Sequence, residues 1–146
     1  EQGVSKAQYN LGYMYYNGQG VLQDYKEAVK WFRLAAEQEY SWAQNSLGFS
    51  YFEGQGVLQD YKEAVKWTRK AAEQGHSDSQ YNLGLMYSQG KGVPKDYAMA
   101  HMFFKIAAVS GDKGAIEGRN LVEKKMTSSQ LEKAQDLARE WMRTHQ

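Results

Sequence analysis

Cysteine is absent from this chain of 146 residues, which excludes disulfides and thiolate metal sites and leaves the compartment unset. Proline occurs once, at Pro94, so almost nothing interrupts helix formation. An excess of one charge is also missing: 18 Lys plus Arg stand against 17 Asp plus Glu, and no basic field draws in nucleic acid or anionic lipid. No apolar run approaches the roughly 20 residues that cross a bilayer, so membrane insertion is not expected. The chain opens Glu1-Gln2-Gly3, without a signal-peptide pattern.

Two abundances need explaining: 14 glycines, and an aromatic share of 14%. Both belong to a repeat. Offset by 36 positions, residues 1–36 match 37–72 at 25 positions and 73–108 at 20. Such a period marks stacked supersecondary units that bury their apolar faces only against one another. Units are expected at about 5–40, 41–76 and 77–111, with 112–146 as a C-terminal capping pair in a single domain. The fold class expected is all-α, about eight helices in stacked antiparallel pairs.

Each unit opens with Ser-x-Ala/Ser-Gln-x-x-Leu-Gly-x-x-Tyr, from Ser5, Ser41 and Ser77. Serine followed three residues later by Gln8, Gln44 or Gln80 predicts a capping box at the start of a helix A. Ala7, Leu11 and Tyr15 then share one face, and Gly12, Gly48 and Gly84 beside it predict close approach of a neighbouring helix. Gly18, Gly54 and Gly90 are candidate left-handed caps. Helix B should start at Asp24, Asp60 and Asp96, with Glu27 and Glu63 completing capping boxes. Trp31, Trp67 and Phe103 share one repeat position and are expected to fill the space between the paired helices. Thr127 with Gln130 predicts the cap of a last helix.

The motifs Ala-x-x-x-Leu-Gly-x-x-Tyr, Gly-x-Gly-Val, Asp-Tyr-x-x-Ala-x-x-Trp and Ala-Ala-Glu-Gln-Gly together resemble the Sel1-like repeat family, a relative of tetratricopeptide repeats. The resemblance covers three units and the terminal cap. It implies a right-handed α-solenoid acting as an adaptor that binds a protein or peptide, as in bacterial and eukaryotic signalling, secretion and quality control. The cysteine-rich branch of the family is not matched. By the related tetratricopeptide pattern, the partner would lie in a concave groove of helix A positions. In the first unit these include Lys6, Tyr9, Asn10, Tyr13, Tyr16 and Asn17. The second contributes Trp42, Asn45, Phe49 and Phe52, and the third Tyr81, Asn82 and Leu85. Aromatics dominate the set, as they do binding hot spots.

Catalytic apparatus is not visible. His76, His101 and His145 lack metal-ligand spacing, the Gly-x-Gly-Val loops lack the Lys-Ser/Thr of a phosphate-binding loop, and recurring serines and carboxylates sit at helix starts. No cofactor or metal is expected, and the chain reads as no enzyme. A spacer within a larger protein is the alternative function, with a glycan-binding module or enzyme of the cell envelope behind it. Because Glu1-Gln2-Gly3 matches Glu73-Gln74-Gly75, the chain is expected to be cut from a longer array, and the apolar side of its first helix A to mediate self-association.

Overall fold

The computed structural model describes residues 2–145. Among them are eight helices and no strand: α1 (Gln2–Asn17), α2 (Tyr25–Glu37), α3 (Ser41–Glu53), α4 (Tyr61–Glu73), α5 (Ser77–Gln89), α6 (Tyr97–Ala108), α7 (Lys113–Glu123) and α8 (Ser128–Thr144). The chain divides into two compact units between Ala71 and Ala72.

Aspartates start the B helices as their position predicts. Asp24 Oδ1 accepts from Glu27 N at 3.1 Å, Asp60 Oδ1 from Lys62 N and Glu63 N at 3.0 and 3.1 Å, and Asp96 Oδ1 from Met99 N at 3.1 Å. Glu27 and Glu63 do not close the expected boxes; their carboxylates lie 4.0 Å from Lys30 and 3.6 Å from Lys66, a solvated alternative one turn along the helix. Thr127 and Gln130 do form a full box, with reciprocal bonds of 2.9 and 3.1 Å.

The A helices correct the sequence expectation. Ser41 and Ser77 are the first helical residues rather than caps, and the N-caps are Tyr40 and His76. Ser5 is buried inside α1, where its hydroxyl donates to Gln38 Oε1 at 3.0 Å. Gln44 and Gln80 do not reach back to a serine. Their side-chain amides donate instead to Ala36 O and Ala72 O, each at 3.2 Å. The last carbonyls of a helix have no partner inside it, and a buried helix end must find a donor elsewhere. Both glutamines are buried, so each ties the end of a B helix to the A helix that follows.

Of the residues expected to end a missing helix, Glu1 lies outside the described residues, while Gln2 and Gly3 belong to α1. Gly75 turns the chain at φ 90° after α4, whereas Gly3 lies within α1. On the same helix Ala7 is exposed and Leu11 is 37% exposed, whereas their repeat equivalents Ala43, Leu47 and Leu83 are fully buried.

Close packing between paired helices runs through the glycines. A Cβ on Gly12 would meet the Phe32 ring at 2.7 Å, one on Gly84 the Phe104 ring at 2.5 Å, and one on Gly48 the Thr68 hydroxyl. Gly118 also lies against the Phe104 ring, where a Cβ would stand 2.9 Å away. The residue against each glycine, Phe32, Thr68 or Phe104, is the one that follows Trp31, Trp67 or Phe103 in the chain. Trp67 and Phe103 are buried and Trp31 only half-buried. Within this column Phe103 packs between the paired helices as expected, against Tyr87 of α5, their rings 5.8 Å apart and 13° from parallel.

Candidate partner-binding surface

Within the first unit, Phe32 leaves α2 at the level of Gly12, and the absence of a side chain on Gly12 lets its ring reach the space where α1 and α3 approach. It forms the floor of a cavity of about 200 Å³ whose lining is completed by Tyr13, Tyr16, Asn45, Ser46 and Phe49. Phe32 is 1% exposed; Tyr13 and Phe49 are 45% and 43% exposed and form the rim. The rings are tilted, not flat against one another: Tyr13 to Tyr16 is 6.2 Å at 39°, and Tyr16 to Phe32 is 6.3 Å at 47°.

The polar atoms of this cup are largely committed. Tyr16 donates its hydroxyl hydrogen to Gln55 Oε1 at 2.8 Å. Burial pushes its pKa above the usual phenol value, and the neighbouring Tyr25 and Glu53 add to the rise. Tyr9 sits behind the cup, its ring 5.8 Å from Phe32, 5.5 Å from Tyr40 and 5.7 Å from Tyr13, and burial raises its pKa as well. Both phenols are therefore neutral near pH 7.

Four of the sequence-predicted residues, Tyr13, Tyr16, Asn45 and Phe49, thus meet in one place. Lys6, Asn10, Asn17 and Trp42 are exposed outside the cup, with Trp42 at 51%. Phe52 lies against Tyr61, ring centroids 5.0 Å apart. In the second unit Asn82 and Leu85 are half-buried, and Tyr81 packs 5.8 Å from Phe104 and beside Gly114. Sequence reading missed Phe32 as a site residue because it belongs to the apolar band of a B helix. The signal was its pairing with Gly12, repeated as Phe104 with Gly84.

The second unit has a larger hollow of about 430 Å³ lined by residues from the 72–80 segment together with Ile106, Val109, Met142, and Trp141 stacked on His145 at 3.9 Å. His101 is buried with its Nε2 2.8 Å from Glu123 Oε1. Among the described residues no cluster of three His, Cys, Asp or Glu side chains could hold a metal, and no helix is long and apolar enough to cross a membrane.

A model of the Sel1 repeat matches residues 5–40, 43–76 and 77–112. The chain belongs to the Sel1 repeat family. Its fold is accordingly the all-α helix-pair solenoid of that family. Among solved structures it is similar to c5321, a protective antigen present in uropathogenic Escherichia coli strains that displays this fold, at 40% identity and a TM-score of 0.91 over 99% of the chain. A Sel1 repeat protein from Oxalobacter formigenes is 39% identical, with a TM-score of 0.77 over 80% of the chain. The cysteine rich protein B of Helicobacter pylori, 24% identical with a TM-score of 0.66, covers 80% of the chain and 89% of its own length, and shares the fold. The Sel1 repeat chain spans 31% and 48% of the first two proteins. No curated protein sequence matches it.

Proposed function

We propose that this Sel1 repeat chain is a non-catalytic scaffold that binds a polypeptide on the face shared by α1 and α3, with the aromatic cup as its anchor point. The family's general use of the fold in protein interaction supports the class of function. The cup supports the place, and one comparison carries it. Advancing each cup residue by two repeats gives its equivalent in the second unit. Phe32 stays aromatic as Phe104, and Tyr9 behind it stays Tyr81, with the same 5.8 Å between rings. The rim changes: Tyr13 becomes Leu85, Tyr16 becomes Ser88 and Phe49 becomes Leu121. Floor and support are what helix pairing needs; the aromatic rim is not. Large rings left about half exposed contribute to binding what they do not contribute to folding.

The test is capture from a lysate of the native host, comparing the wild-type chain with Tyr13→Ala/Phe49→Ala. The variant should keep its helical circular dichroism and lose its partner. Partner capture unchanged by the double substitution would refute the groove and favour a spacer role. Loss of helicity would show that the rim belongs to the core.

A further inference from the structure

The cup has a chemical preference that its shape alone does not give. Helices α1 and α3 carry one cation between them, Lys6, about two turns from Tyr13, and one anion, Glu53, one turn beyond Phe49. Glu53 is exposed, makes no ion pair among the described residues, and lies close enough to Tyr16 to act on it electrostatically. Four aromatic rings therefore surround a cavity whose nearest charge on these helices is negative. The face of an aromatic ring is itself the negative end of a quadrupole.

Resting on the peptide-binding reading above, we infer that the cup between α1 and α3 receives an arginine side chain of the partner polypeptide, its guanidinium among Tyr13, Tyr16 and Phe49 and within reach of Glu53. An aliphatic guest would gain as much from the leucines that stand at these positions in the second unit, Leu85 and Leu121. Aromatic rings offer what leucine cannot, a face that attracts a cation. Arginine suits the site better than lysine because its planar group stacks on rings, is more weakly hydrated and presents a donor fork to a carboxylate. The chain already makes such contacts internally. Arg33 lies 5.6 Å from the centre of the Tyr51 ring and donates to its hydroxyl at 2.6 Å, while Lys66 and Lys70 lie 5.2 and 5.6 Å from the Trp67 ring.

The experiment uses three pools of short fluorescent peptides with randomised flanks and a fixed central residue: arginine, its neutral isostere citrulline, or norleucine. Binding of the whole chain is followed by anisotropy. The arginine pool should bind about tenfold tighter than either neutral pool. Tyr13→Leu/Phe49→Leu, which installs the residues of the second unit, should erase that difference without loss of helicity. Glu53→Gln should reduce it by about threefold. Equal binding of the citrulline or norleucine pool that still depends on Tyr13 and Phe49 overturns the arginine assignment and leaves the groove standing. An arginine preference indifferent to the leucine substitutions also overturns it. If no pool binds at millimolar peptide, the groove reading falls as well.

Discussion

Gly84 and Phe104 meet so closely that a Cβ on the glycine would stand 2.5 Å from two carbons of the ring. The ring has little room to shift, because Gly118 also lies against it and the side chain is 1% exposed. Alanine normally stabilises a helix interior by about 1 kcal/mol over glycine. Overpacking a filled core costs about 1–3 kcal/mol, and at Gly84 it should win. Gly84→Ala is expected to lower stability in urea unfolding by up to about 2 kcal/mol, the difference of the two effects. Gly3→Ala, where a Cβ meets nothing within 4 Å, is the control and should be neutral or slightly stabilising.

That contact also marks how far sequence alone reaches. The period, the aspartate caps and the glycine at each interhelix contact are local signals, and each survives in three dimensions. What the sequence left open was which side chain lies on the glycine: Trp31 and Phe32 are adjacent, both are large, and a broad apolar band does not fix rotation to within one residue. The same limit hid Phe32 from the binding surface, since the ring crosses from a B helix into a gap between A helices. The glutamine misreading has a different cause. Ser-x-x-Gln satisfies the pattern of a capping box, but the unpaired carbonyls of the preceding helix compete for the amide and win because that end is buried.

Trp67 belongs to a buried cluster with Phe32, Ala43 and Leu47 and is 6% exposed. Trp67→Ala should cost about 3–5 kcal/mol in urea unfolding. Its indole N–H is buried without a hydrogen-bond partner. Phenylalanine removes that unpaired donor while keeping most of the ring, so Trp67→Phe should cost well under half as much. A change within about 0.5 kcal/mol for the alanine variant, the range of ordinary surface substitutions, is the result that removes Trp67 from the core.

Thr127 holds the start of α8, and α8 places Trp141 edge-on against Phe103 at 5.1 Å. Thr127→Ala deletes the acceptor of the Gln130 amide and should cost about 1 kcal/mol. Thr127→Ser keeps an oxygen at the same place and should stay near wild type. Equal losses in the two variants would assign the effect to the threonine methyl and not to the cap.

His76 couples stability to pH. Its Nδ1 accepts from Ser79 N at 3.3 Å, which requires that nitrogen to be unprotonated. Burial, the larger influence, holds its pKa below the usual imidazole value, against a smaller upward pull from Asp78. A histidine with a depressed folded-state pKa binds its proton more readily in the unfolded chain. Its contribution is thus fully present above the unfolded value of about 6.5 and is lost as pH falls from there through the folded pKa. Urea unfolding at pH 7.5 and pH 5 should show a larger loss for wild type than for His76→Asn, which retains a polar side chain but does not titrate. The variant measures the part of the slope that comes from other groups. If both proteins lose the same stability between the two pH values, His76 is not the titrating group.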